Sequence, residues 1–181
     1  MKKTIVLLVL LLSAFFSNAQ KFACVDSEYI LSNMPEYKQA QKELEDVSLS
    51  WQKEVETKLA EVDKMYKSYQ AEAILLPEEL KSKKENEIVE AEKEAKNLQK
   101  QRFGNDGDLA KKRSELVKPI QDKIYSAIEK IAQEKNYSVI FDKASGATVL
   151  YIDDKTDVSD LVLAELGYKV SGNNSAKKTK K

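Results

Sequence analysis

No histidine occurs among the 181 residues. That absence removes the commonest general base, the Ser-His-Asp arrangement and the usual zinc ligand together. Cysteine is reduced to Cys24, so no disulfide can close within the chain. Its place in an apolar strand pattern reads as a buried thiol, with a bridge to another chain as the alternative. Glycine numbers 5 and proline 3, which suits solvated helices far better than a loop-rich fold. Neither sign of charge is in excess. Setting residues 1–19 aside leaves 28 basic side chains against 30 acidic ones, a balance that gives no support to a nucleic-acid partner.

Long apolar runs are confined to the start. Lys2 and Lys3 precede an apolar stretch from Ile5 to Leu12, and Ser17-Asn18-Ala19 supplies small residues before Gln20. This is the pattern of a secretory signal peptide over residues 1–19. A spanning helix needs about 20 apolar residues, more than the stretch supplies. A retained anchor is the alternative reading. A lipid-anchored export signal at Cys24 is a second one, opposed by the charge of Lys21.

Charge is what the chain has in abundance, at 33% of residues. It accompanies an apolar rhythm of three and four over residues 36–135. In the first half the rhythm runs through Tyr37, Ala40, Leu44, Val47, Trp51, Val55, Leu59, Val62, Tyr66, Tyr69 and Ala73. So narrow a stripe is a coiled-coil seam. Three successive gaps of four from Val47 to Leu59 mark a stutter. Ile74-Leu75-Leu76-Pro77 is the expected reversal, because Pro favours the first helical position and the acids Glu78 and Glu79 suit the positive end of a new helix. The return helix carries Ile88, Ala91, Ala95 and Leu98. Gly104 and Gly107, with Asn105, Asp106 and Asp108, predict an interruption and a fresh helix start. Antiparallel pairing about residue 76 places Phe103 near Leu49 and Trp51. The break then either packs on an aromatic cluster or is a loose joint.

From Leu116 the apolar face widens through Val117, Ile120, Ile124, Tyr125, Ile128 and Ile131, with Pro119 inside it. Residues 21–26, 137–141 and 148–152 read as strands, 142–146 as a turn, and 161–166 as a short helix closed by Gly167. Residues 171–181 hold four lysines and no apolar run, the composition of a disordered tail. A weak contact of that tail with anionic membrane surfaces is the alternative to simple solvation. The fold class expected is α+β, with a long antiparallel coiled-coil hairpin (36–116) projecting from a small strand-containing body (20–35 and 117–170). Such a body buries little apolar surface alone, which calls for oligomerisation.

Val25-Asp26-Ser27, Ile30-Leu31 and Met34-Pro35-Glu36-Tyr37 stand before the hairpin, and Lys112 to Gln121 and Tyr137-Ser138-Val139-Ile140-Phe141-Asp142 after it. In these flanking motifs the chain resembles the Skp/OmpH family of periplasmic chaperones. The resemblance implies a homotrimer whose strands form a central body. Its three hairpins would shelter unfolded outer-membrane proteins in a cavity, without ATP, metal, cofactor or covalent chemistry. It places trimer contacts at Cys24, Val25, Ile120, Ile124, Ile128, Val139, Ile140 and Phe141. The chain departs from the basic character frequent in that family, and the mixed charge around Lys81, Lys83, Lys84, Glu78, Glu79 and Glu85 argues against a lipopolysaccharide site.

Client contact is expected at Ile74, Leu75 and Leu76, which a two-helix seam does not fully cover; closing the hairpin end is the alternative role. Tyr66 and Tyr69 offer aromatic contact or pack in the seam. The rival function is a structural coiled-coil spacer or adaptor of the cell envelope. An enzyme is not expected, because nothing gathers an acid, a base and a pocket.

Overall fold

The computed structural model describes residues 20–146 and 151–169. The signal-peptide expectation, the lysine tail and positions 148–150 of the third expected strand lie outside those residues. The described chain runs β1 (Lys21–Val25), α1 (Ser27–Ser32), α2 (Pro35–Glu72), α3 (Glu78–Phe103), α4 (Asp108–Lys135), β2 (Tyr137–Asp142) and α5 (Ser159–Glu165), with 3-10 turns at Lys143–Ser145 and Asp154–Thr156. It divides into two compact units, residues 34–122 and the described residues on either side of them, 20–33 with 123–146 and 151–169.

The first unit is a helical hairpin. Pro35 opens α2 at a first-turn position where its missing N–H costs nothing. The helix then runs 38 residues. Its seam is thin, with only Ala40 and Val55 of α2 and Ile88 and Ala95 of α3 buried. The reversal falls at residues 73–77, and Pro77 precedes the first residue of α3 in extended geometry. Cross-hairpin bonds set the register: Lys84 to Glu72 at 2.7 Å, Lys112 to Glu43 at 2.9 Å, and the Tyr69 hydroxyl donating to Glu85. Phe103 shares a groove with Gln52, Val55 and Leu59, and Arg102 is the residue over Trp51. The expected pairing of Phe103 with Leu49 and Trp51 is therefore displaced toward the tip by about one helical turn. The cause is local. The Ala73 and Leu75 amides donate to Tyr69 and Glu72 carbonyls at 2.8 and 2.9 Å, so the chain keeps turning past the end of α2 and reverses nearer Pro77.

Helix α3 stops at Phe103, and α4 begins at Asp108 after a turn closed by the Gly107 amide on the Gly104 carbonyl at 2.9 Å. Both glycines are required by close approach. A Cβ at Gly104 would lie 2.5 Å from the Lys100 carbonyl oxygen, and one at Gly107 would lie 2.7 Å from that of Gln101. Pro119 stands inside α4 and removes one backbone hydrogen bond there. The boundary between the two units falls soon after it, between residues 122 and 123.

The second unit joins the ends of the chain. β1 pairs in parallel with β2, Phe22 opposite Val139, Ala23 opposite Ile140 and Cys24 opposite Phe141. Among the described residues, the other edge of β1 makes a single bridge, the Val158 amide donating to the Cys24 carbonyl at 2.9 Å. With something on both edges, Ala23, Cys24 and Val25 are buried in succession. Asp26 ends the strand and caps α1, accepting from the Tyr29 amide at 2.9 Å. Helix α1 packs on α5. The core is Ile30, Val158, Val162 and Leu163 with Ile124, Ala127 and Ile131 of α4. Asn136 (φ 58°) and Gly167 (φ 84°) take left-handed geometry at the ends of α4 and α5. After Gly167 the Tyr168 amide returns to the Leu163 carbonyl at 2.9 Å.

Candidate functional site

Two apolar surfaces and one polar junction stand out. On the hairpin, Ile74 and Leu75 are 92% and 85% exposed, among the most solvated large apolar side chains described. The reversal holds their backbone in a turn that neither helix covers. Leu76 is half-buried, so the three expected contact residues divide: one helps close the hairpin end and two face solvent. Tyr66 is exposed while Tyr69 is half-buried. The Tyr69 hydroxyl is held by Glu85, and that bond, with partial burial, raises the phenol above its ordinary pKa. Between α2 and α3 a groove of about 470 Å³ is floored by Met65, Tyr69 and Ile88 and rimmed by Lys64, Lys84 and Glu87. Met65 was not among the expected seam positions. Leu80 adds a further exposed apolar side chain near the tip.

In the second unit, Phe22 and Phe141 project from paired strands with ring centroids 6.5 Å apart, and both are about half exposed. Val139 is exposed beside them, and Tyr151 is 82% exposed. A cleft of about 340 Å³ runs along Phe22, Phe141 and Tyr151 past Cys24 and Ile152. The side chains named for trimer contact are thus of three kinds. Cys24, Val25, Ile120 and Ile124 are buried within the single chain, Ile128 and Ile140 are half-buried, and Val139 and Phe141 lie open. Phe22, Tyr125 and Tyr151 are open as well, although sequence reasoning did not single out the first and last. The strand alternation that places Phe22 on the same side as Phe141 depends on the parallel register, which the sequence alone does not specify.

Cys24 is buried 3.9 Å from the Thr156 hydroxyl. Burial pushes its thiol pKa up, against the smaller pull of that hydroxyl, which makes it a poor nucleophile.

The polar junction gathers where strands meet helices. Asp142 accepts from the Ser27 amide at 3.1 Å, the Ser27 hydroxyl at 2.7 Å and the Ala144 amide at 3.0 Å. Asp157 accepts from the Ser159 amide at 2.9 Å and hydroxyl at 2.6 Å, and pairs with Lys143 at 2.6 Å. Burial works to raise both carboxylates, but these hydrogen bonds outweigh it and hold both below their ordinary range. Ser159 in turn accepts from the Asp26 amide at 2.8 Å. A polar cleft of about 270 Å³ opens here beside Tyr29, Asp154 and Asp160. Its central acids are engaged as caps and by lysine. Among the described residues no group of three or more His, Cys, Asp or Glu is placed to hold a metal, and no helix is long and apolar enough to cross a membrane.

Comparison with known proteins agrees with this architecture. Residues 21–166 match the family model described as outer membrane protein (OmpH-like). An uncharacterized protein of Aquifex aeolicus (strain VF5) is 33% identical over 166 residues, covering 92% of this chain and 96% of its own. In fold, the chain is similar to the crystal structure of an OmpH-like protein of Caulobacter crescentus CB15, described as a candidate outer membrane chaperone. The TM-score is 0.66 at 13% identity, over 82% of this chain and 84% of the other.

Proposed function

Since the chain belongs to the OmpH-like family of outer membrane proteins, we propose that it is a chaperone, and more narrowly an ATP-independent holdase. It acts in the periplasm after loss of residues 1–19, as a homotrimer. It binds unfolded outer-membrane proteins in the cavity between trimer arms and keeps them from aggregating. The observation that carries this reading is the hairpin: a long, charged, thinly sealed pair of helices that leaves Ile74, Leu75, Tyr66 and Leu80 in solvent. A client chain with scattered apolar segments meets there many weak, sequence-tolerant contacts, suited to slowing aggregation without tight affinity for any one side chain. The open apolar face of Phe22, Val139, Phe141 and Tyr151 supports self-association. No step in this activity calls for a catalytic group.

The test is to add the mature protein to an unfolded β-barrel protein on dilution from urea, following light scattering and the mass of the complex. Suppressed scattering and one sedimenting species holding three copies with a client are expected. Deleting residues 63–86 is expected to abolish most of the suppression and leave the three-copy mass of the remaining chain intact. Neither complex nor suppression by the intact protein would favour a structural coiled-coil spacer or adaptor instead.

A further inference from the structure

We infer that the interruption between α3 and α4 is a latched joint, fixed by Arg102 fastening three separate helices at one guanidinium. Within the hairpin unit, Nε and Nη2 of Arg102 donate to the two carboxylate oxygens of Glu54 on α2, at 3.1 and 3.3 Å. Nη1 donates to Asp108, the first residue of α4, at 2.6 Å. Beneath them the guanidinium carbon stands 4.9 Å from the centroid of the Trp51 ring. Arg102 itself belongs to the last turn of α3. One side chain therefore touches the helix before the break, the helix after it and the helix alongside.

The fork is what makes this possible. A planar guanidinium offers donors in fixed directions while its face lies on an aromatic ring, and neither lysine nor any neutral residue does both. The turn it spans is weak by composition. Its two glycines are there because Cβ atoms do not fit, but they also leave the unfolded turn with more freedom to lose than other residues would. A break built of Gly104-Asn105-Asp106-Gly107 without a clasp is a swivel; with Arg102 in place it holds one angle. Because the clasp is ionic and its carboxylate partners are in part solvated, salt weakens it: the screening length falls to about 3 Å at molar ionic strength.

The chain carries its own reporter, since Trp51 is the single tryptophan. In Arg102→Ala, Trp51 emission is expected to shift to the red. Amide hydrogen exchange over residues 99–111 is expected to quicken at least tenfold, with residues 64–87 and 137–141 unchanged. Molar sodium chloride is expected to produce the same local quickening in the native protein and no further change in the variant. Arg102→Lys keeps the charge and loses the fork, and is expected to behave as the alanine variant does at the joint. Should the alanine variant fail to fold, Glu54→Gln and Asp108→Asn leave Arg102 over Trp51 and are each expected to loosen the same segment. Lys84→Ala cuts a more exposed cross-hairpin ion pair near the tip and is expected to leave residues 99–111 as they are. Native exchange over 99–111 in the lysine variant, or a rise spread evenly along the hairpin in any of the Arg102 variants, would overturn the latch and leave Arg102 as one more surface ion pair.

Discussion

Asp157 serves three donors with two oxygens, capping the start of α5 through Ser159 and holding Lys143 beside the end of β2. Its carboxyl is depressed in the folded chain, although burial alone would raise it. A depressed carboxylate contributes stability that is complete above the unfolded pKa of about 3.9 and is lost as pH falls through the lower folded value. Asp142, depressed by Ser27 and Ala144 against its own burial, adds to the same acid-side loss. Asp157→Asn keeps an acceptor for the Ser159 amide and loses the charge. At neutral pH it is expected to cost roughly 2 kcal/mol, the scale of a hydrogen bond to a charged group. Urea unfolding at a series of pH values should give a shallower acid slope for the variant than for the native chain, and identical slopes would mean the depression is not real. Of the two aspartates, the sequence marked Asp142 as a turn residue. Their partners were not legible, because Ser27 lies 115 positions from Asp142 and only the strand pairing brings them together.

At the scale of elements, the helices were the readable part. Pro35, Pro77 and the two glycines marked the start of α2, the reversal and the break between α3 and α4, because each acts through its own backbone and needs no distant neighbour. Pairing between helices is another matter. The seam repeats every three or four residues, so sliding α3 by one turn against α2 keeps apolar side chains facing one another. The choice is made by particular bonds such as Glu72 with Lys84 and Arg102 with Glu54. Those bonds, and not the symmetry of the stripe, put Phe103 beside Val55. The same thin seam leaves Ile74 and Leu75 in water. Changing Leu75 and Leu76 together to Ser is expected to weaken client holding only in part. A fully buried side chain of this size is worth about 1.5 to 3 kcal/mol, and a mobile client covers it part of the time. Light scattering during client dilution measures this. Complete loss would instead locate a specific dock at the reversal.

For the whole molecule, the question is how the open face of the strand-containing unit is covered. Ile124, one of the expected trimer contacts, is buried within its own chain, and a carboxylate there would damage the fold before it tested association. Phe141 is half exposed and already belongs to a folded strand. Phe141→Asp is therefore expected to give monomers at micromolar concentration by sedimentation while far-ultraviolet circular dichroism stays native. A three-copy species with the aspartate in place would move the contact elsewhere.

The parallel pairing of β1 with β2 also orders events in time. Phe22 meets Val139 only after more than a hundred intervening residues have appeared, whereas the hairpin closes on local contacts. A chain emerges from its N-terminus, so β1 must wait as an unpaired strand while α2 and α3 fold. The face bearing Phe141 does not exist until the chain is nearly finished. Self-association through that face, as proposed, is thereby reserved for complete molecules. A chain ending at residue 136 is expected to show full hairpin helicity by circular dichroism and to sediment as a monomer. In the proposed trimer, half-made copies have arms to fold but lack the Phe141 surface through which finished ones would join.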